Sequence, residues 1–214
     1  MSRDVERYFT ERARTFDRLY DLPPIERVLN HILRRAVYQR FGLTFEHAGD
    51  LQGKRVLDIG CGSGRYSVEF GRRGAAEVVG VDFAEDMLAL ARQYAEASQV
   101  SDRVHFERAD FASFSSPQTF DVAVAIGFFD YIEQPDAVLA RIRAVTSGRL
   151  LGSFPADQPI RSWLRRRRYG SRGVRLRFYT RDEVATLARN AGFGAVTVLP
   201  LSAGHFLIAD TKAT

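Results

Sequence analysis

Three glycines at alternate positions follow the apolar run Val56-Leu57-Asp58-Ile59, in the order Gly60-Cys61-Gly62-Ser63-Gly64. A second apolar run, Val78-Val79-Gly80-Val81, ends in Asp82, 22 positions after Gly60. The two runs read as a strand, a tight turn of bare backbone, a helix, and a second strand with a carboxylate at its carboxyl end. Such a unit holds a nucleoside-bearing cofactor where a parallel sheet changes direction. It restricts the chain to an α/β fold and leaves open which cofactor is held.

The rest of the chain keeps the rhythm. Strands are predicted over Arg55–Ile59, Glu77–Asp82, Val104–Arg108, Asp121–Ile126 and Leu150–Phe154. The helices between them are expected over Gly64–Arg72, Ala84–Ser98 and Pro135–Thr146. Regular alternation of this kind predicts a doubly wound, Rossmann-like sheet with helices on both faces and right-handed crossovers. A helix over Arg181–Ala191 follows, with Thr180 as its N-cap and Gly192 after its end. Two runs, Ala195–Leu201 and His205–Asp210, are linked too tightly to be parallel, so the last strand is expected to be antiparallel. Upstream, Ile25, Val28, Leu29, Ile32, Leu33 and Val37 recur at helical steps after Pro24. Residues 1–50 are therefore expected to form a helical extension or lid, and residues 51–214 a single cofactor-binding unit.

Length and composition narrow the class. A chain of 214 residues, 45% hydrophobic and 27% charged, suits one α/β domain and not two. No apolar run approaches the roughly 20 residues that cross a bilayer, and the first residues lack the apolar core of a secretion signal. The cytoplasm is the expected location. Cys61 is the only cysteine, so no disulfide forms within the chain. The four histidines show no paired ligand spacing, and no catalytic metal is expected. Nothing in the sequence sets the oligomeric state.

The glycine spacing selects among cofactors. A dinucleotide fingerprint needs its third glycine one position later, where Arg65 stands, and no Gly-Lys-Ser/Thr follows for a phosphate loop. The segment instead resembles the cofactor motifs of class I S-adenosylmethionine-dependent methyltransferases. By that resemblance, Gly60, Gly62 and Gly64 wrap the methionine half of S-adenosylmethionine, and Asp82 accepts from the ribose hydroxyls. Asp110 and Phe111, near the end of the third strand, are expected to hold the adenine, the carboxylate accepting from its amine and the ring stacking on the base. Asp58, Cys61, Phe83 and Ile126 complete the expected cofactor-binding set. Asp58 also reads as a residue that merely holds the loop, and Cys61 as a small buried residue.

The resemblance also locates the acceptor. The fourth strand ends in Ile126-Gly127-Phe128-Phe129-Asp130-Tyr131, the strand end that lies beside the methyl group in that family. The Asn- or Asp-Pro-Pro-aromatic signature of enzymes that methylate amino groups is missing, which shifts the expectation toward oxygen or carbon. Asp130, Tyr131 and His205 are the candidate catalytic residues, the last because a neutral imidazole suits a base. Each also reads plainly as a turn, packing or surface residue. No base is obligatory, because much of the rate of an in-line displacement comes from positioning.

The net charge of +5 is local. Eight arginines and no acid lie between Arg161 and Arg177, and removing them leaves the rest at −3. Guanidinium forks bind carboxylate and phosphate, so a small, anionic acceptor is the main expectation. The order of the basic stretch, aromatic residues, helix and hairpin resembles that of magnesium-protoporphyrin O-methyltransferases. RNA is the rival partner, since basic patches with aromatics bind it. An acidic membrane surface, a solvated loop and a non-catalytic cofactor-binding module are the remaining readings. An NAD-dependent oxidoreductase is disfavoured by Arg65.

Overall fold

A computed structural model of the chain describes residues 35–157 and 176–213. The expectations for residues 1–34, and for seven of the eight clustered arginines, lie outside the described residues. The elements run α1 (Arg35–His47), β1 (Arg55–Ile59), α2 (Arg65–Arg72), β2 (Glu77–Asp82), α3 (Glu85–Ala97), β3 (Val104–Arg108) and β4 (Phe120–Ala125). A 3-10 turn (Phe129–Tyr131) precedes α4 (Pro135–Val145), and β5 (Thr146–Phe154), α5 (Arg181–Asn190), β6 (Ala195–Leu201) and β7 (Gly204–Asp210) complete the chain.

The seven strands form one sheet in the order β3-β2-β1-β4-β5-β7-β6. Pairings among β1 to β5 are parallel, and β7 runs antiparallel between β5 and β6. The fold is thus the expected doubly wound α/β sheet with an antiparallel last strand. Strand order reverses between β1 and β4, so the crevice at their carboxyl ends is the switch point where ligands bind such sheets. Because β7 runs backward, its first residues lie at that same edge.

Alternation along the strands builds the two faces. Leu57, Ile59, Ala123, Leu150 and Leu207 point into a core covered by Leu139 and Ile142 of α4 and Val184, Leu187 and Ala188 of α5. Val56, Val78, Val122, Leu151 and Phe206 point the other way, against Val68 and Phe70 of α2 and Ala95 of α3. Several boundaries differ from expectation, most of them by one residue. β4 begins at Phe120 and ends at Ala125, leaving Ile126 in the turn. β5 begins four residues early, at Thr146, because Thr146 and Arg149 pair with β4 although the stretch is hydrophilic. Gly148 makes this approach possible, since a Cβ there would lie 2.3 Å from the Asp121 carbonyl oxygen.

The described part of the N-terminal extension is fastened to the sheet. Arg149 grips Asp210 with Nε and Nη2 at 2.6 and 3.0 Å and donates through Nη1 to the His47 carbonyl at 2.8 Å. Gln39 accepts from the Ser202 N–H at 2.9 Å. Phe41 and Phe45 pack on Tyr66, whose ring centroid lies 5.3 and 6.1 Å away. Among the described residues, no helix is long and apolar enough to cross a membrane, and no group of three or more His, Cys, Asp or Glu is placed to hold a metal ion.

Candidate active site

The glycine loop folds back on β2. Gly60 and Cys61 both donate to the Val81 carbonyl, at 2.8 and 3.2 Å. Two positions admit only glycine. Gly60 has φ +68° and a Cβ there would meet Phe128 Cδ2 at 2.9 Å. Gly64, the N-cap of α2, has φ +76°, and a Cβ there would lie 2.8 Å from both Ala91 Cβ and Phe106 Cζ. Past Gly64 the first N–H groups of α2 lack intrahelical acceptors, as at every helix start. Bare backbone and orphan donors thus line one side of the crevice.

Asp82 closes the loop from below. Its Oδ2 accepts from the Gly62 N–H and its Oδ1 from the Ala84 N–H, each at 2.9 Å. Burial raises its pKa, and these backbone donors pull it back down. Each oxygen keeps a second lone pair for a hydroxyl donor. Asp58, one strand over, is 2% exposed, and its Oδ2 accepts from Ser67 Oγ at 2.6 Å. Burial, with Asp82 adding, raises its pKa to about 6, against the Ser67 hydrogen bond. Asp58 thereby ties β1 to α2 and supports the loop. Burial, Asp58 and Asp82 push the Cys61 thiol well above its usual range, which leaves it neutral and unreactive.

The expected adenine-holding residues lie after β3. The Ala109 N–H donates to the Asp82 carbonyl at 3.0 Å, which brings the start of the Asp110 turn to the end of β2. Asp110 is half-buried and accepts from the Ala112 N–H at 3.0 Å. Phe111 corrects the expectation. It is 4% exposed and its ring packs on Phe114, centroids 5.8 Å apart, and edge-on to Phe128 at 6.3 Å. The turn rotates Phe111 into the apolar core, so no ring face is offered to a base. Phe83, the residue after Asp82, is half-buried and packs against Ala84 and Met87.

Arg40 of α1 and Ser153 of β5 carried no signal in the sequence. A Cβ on Gly127 would lie 3.8 Å from an Arg40 terminal nitrogen, so the guanidinium reaches the turn after β4. Arg40 Nε is buried with no hydrogen-bond partner among the described residues. A buried, unmatched donor is costly unless a ligand fills it. Ser153, 1% exposed, accepts from the Gly127 N–H at 2.8 Å and holds that turn. Ile126, half-buried, packs on the α2 side of the core.

Beyond Gly127, aromatic rings link the two halves of the crevice. Phe128, against Gly60, meets Phe129 edge-on at 5.5 Å, and Phe129 stacks on Phe154 at 4.1 Å. Phe154 meets Tyr179 edge-on at 5.1 Å. Asp130 is 4% exposed and Tyr131 half-buried in the 3-10 turn over these rings.

Residues 177–179 strap this turn down. The Arg177 N–H donates to the Asp130 carbonyl at 3.1 Å, and the Tyr179 hydroxyl to the Phe129 carbonyl at 3.2 Å. Tyr179 N–H donates to the Pro155 carbonyl at 2.9 Å, and its own carbonyl faces His205 Nε2 at 3.1 Å. Arg177 is the one clustered arginine among the described residues. Its guanidinium serves the Glu133 carbonyl at 3.0 Å and Glu183 Oε1 at 2.9 Å, so it is structural and not an anion fork.

Residues 56–148 match a family model described as a methyltransferase domain. The ubiquinone biosynthesis O-methyltransferase of Neisseria meningitidis serogroup C is 39% identical over 92 residues, 42% of this chain and 38% of that protein. Its namesake in Idiomarina loihiensis is 32% identical over 126 residues, 58% of this chain and 51% of that protein. The chain thus spans about half or less of these relatives' length. The structure of magnesium protoporphyrin IX methyltransferase from Synechocystis PCC 6803 with bound SAH superposes with a TM-score of 0.73 at 20% identity, covering 96% of this chain and 97% of that one. Residues 56–148 are thus similar to methyltransferase domains, and the chain shares its fold with the Synechocystis structure.

Proposed function

We propose that the protein transfers a methyl group from S-adenosylmethionine to an oxygen of a small, anionic acceptor. The carrying observation is the glycine loop closed by Asp82 at the carboxyl ends of β1 and β2, together with the Arg40 guanidinium that reaches the turn after β4. The loop gives room for the methionine chain, Asp82 has lone pairs for the ribose, and the Arg40 guanidinium at the Gly127 turn suits an anion such as the methionine carboxylate. These residues fit the cofactor. When bound, it supplies a sulfonium methyl that passes to the acceptor oxygen and leaves a neutral thioether. The chain's own part is to orient: the rings from Phe128 to Phe154 exclude water, and the Asp130–Tyr131 turn lines the acceptor side.

Oxygen is favoured by Gly127-Phe128-Phe129, where amine-directed enzymes need a Pro-Pro motif, and by the similarity to ubiquinone biosynthesis O-methyltransferases. Anionic character rests on the arginines between 161 and 175. The cytoplasm is the location that goes with this reading. Incubation with methyl-labelled S-adenosylmethionine and extract of the native cell, followed by separation of small molecules, RNA, lipid and protein, tests it. Label in small molecules is expected. Label in RNA would reassign the arginines, and cofactor binding without label would favour a regulatory module.

A further inference from the structure

His205, the second residue of β7, lies beside Phe154, the last residue of β5, and opposite Pro200 of β6. Alternation puts it on the face of Leu207 and Ala209, which pack in the cluster that holds Phe129, Phe154 and Tyr179. Its Nε2 lies 3.1 Å from the Tyr179 carbonyl oxygen. A carbonyl only accepts, so Nε2 carries the hydrogen. In the neutral ring the lone pair is then on Nδ1. The same Tyr179 reaches with its hydroxyl to the Phe129 carbonyl. One residue therefore holds both the acceptor-side turn and the imidazole.

The surroundings keep the ring neutral. Burial lowers the His205 pKa, the Tyr179 hydrogen bond opposes this, and the Arg181 charge at the start of α5 lowers it further. Its neighbours in the sheet, Phe154 and Pro200, carry no charge. Half exposure of the ring leaves a route to water for a captured proton.

We propose that His205 is the general base of the reaction: Nε2–H is occupied by the Tyr179 carbonyl, and the Nδ1 lone pair takes the proton of the acceptor hydroxyl. The acceptor O–H bond breaks, its electron pair stays on oxygen for attack, and the proton leaves Nδ1 for water. This rests on the oxygen-acceptor reading above. General bases of this kind contribute about 10²–10⁴-fold.

The test has two arms. In protein labelled with ¹⁵N-histidine, long-range ¹H–¹⁵N correlation spectra read the tautomer, the His205 signals being those lost in His205→Gln. Protonated Nε2 with unprotonated Nδ1 at pH 7.5 is expected, and the opposite tautomer overturns the proposal. His205→Gln keeps a donor at the Nε2 position and removes the base, so its affinity for S-adenosylhomocysteine should equal that of the wild type. Transfer of label into the small-molecule fraction of native extract should fall about 100-fold. Label transfer unchanged in His205→Gln overturns the base alone. No label from the wild type into any fraction overturns the methyl-transfer reading and the base with it.

Discussion

Asp82 Oδ2 and the Gly62 N–H meet at 2.9 Å, so the acid at the end of β2 is a structural partner of the glycine loop before any ligand arrives. Loop and acid are thereby one unit. On the proposed reading a cofactor would meet a carboxylate already oriented by two backbone donors, and orientation in advance lowers the entropy lost on binding.

Asp82→Ala removes those two acceptor positions and the acceptor for a ribose diol. Affinity for S-adenosylhomocysteine should fall at least tenfold, given about 1.5–3 kcal/mol for a hydrogen bond to a charged group. The variant should remain folded. Calorimetric titration checks this, and unchanged affinity would remove Asp82 from the cofactor site.

Arg40→Leu should separate the carboxylate from the nucleoside. Loss of the guanidinium weakens S-adenosylhomocysteine about 10–100-fold by the same magnitude. Binding of 5′-methylthioadenosine, which has no carboxylate, should not change. Equal weakening of both ligands would show that Arg40 acts on the shape of the crevice instead.

Much of this was legible in the residues, for particular reasons. β1 and β2 are mostly apolar runs bounded by charge or glycine, β3 alternates Val104 and Phe106 with polar residues, and the limits of all three match expectation. Asp82 was legible as a strand end because a carboxylate closes the apolar run of β2, and the fold brings it to the glycine loop. Arg40 was invisible: it belongs to no motif, and only the tertiary fold brings it to Gly127. Phe111 was misread because residue type does not say which way a turn rotates a ring. The early start of β5 escaped notice because Thr146 and Ser147 are held by hydrogen bonds to Ile142 and Phe120 carbonyls, not by apolar burial.

Gly64→Ala should destabilise strongly. Its φ of +76° is strained for alanine, and the new methyl would sit 2.8 Å from Ala91 Cβ on α3. Strain and overpacking together cost about 2–4 kcal/mol, which lowers Tm by on the order of 10 °C in a chain of this size. Thermal unfolding followed by circular dichroism reads it, and an unchanged Tm would contradict the tight approach of α3.

Asp58 makes stability depend on pH in an unusual direction. Its folded pKa of about 6 exceeds the ordinary 3.8, so the stability it contributes is complete below pH 3.8 and lost as pH rises through 6. Asp58→Asn keeps an oxygen for the Ser67 hydroxyl and removes the buried charge. At pH 7 the variant should be more stable than the wild type, by up to about 3 kcal/mol for a shift of this size. Its advantage should shrink toward pH 4. Urea unfolding at both pH values decides it, and a variant less stable at pH 7 would mean that the charge is matched by a partner.

Tyr179→Phe isolates the strap from the ring packing. The ring is 2% exposed and stays in place, as does the carbonyl that faces His205, while the O–H···O bond to Phe129 is lost. Burial raises the phenol's pKa, so the hydroxyl is a donor throughout the physiological range. The variant leaves the Phe129 carbonyl unpartnered by this donor, a loss of about 1–3 kcal/mol in stability. Because the Phe129–Tyr131 turn is also held by the Arg177 N–H, it should loosen without unfolding. S-adenosylhomocysteine affinity and the His205 tautomer should stay as in the wild type, while methyl transfer into the small-molecule fraction falls several-fold. A fall in stability with transfer intact would make the hydrogen bond purely structural. A changed tautomer would mean instead that the hydroxyl, through the backbone, also sets the position of the base.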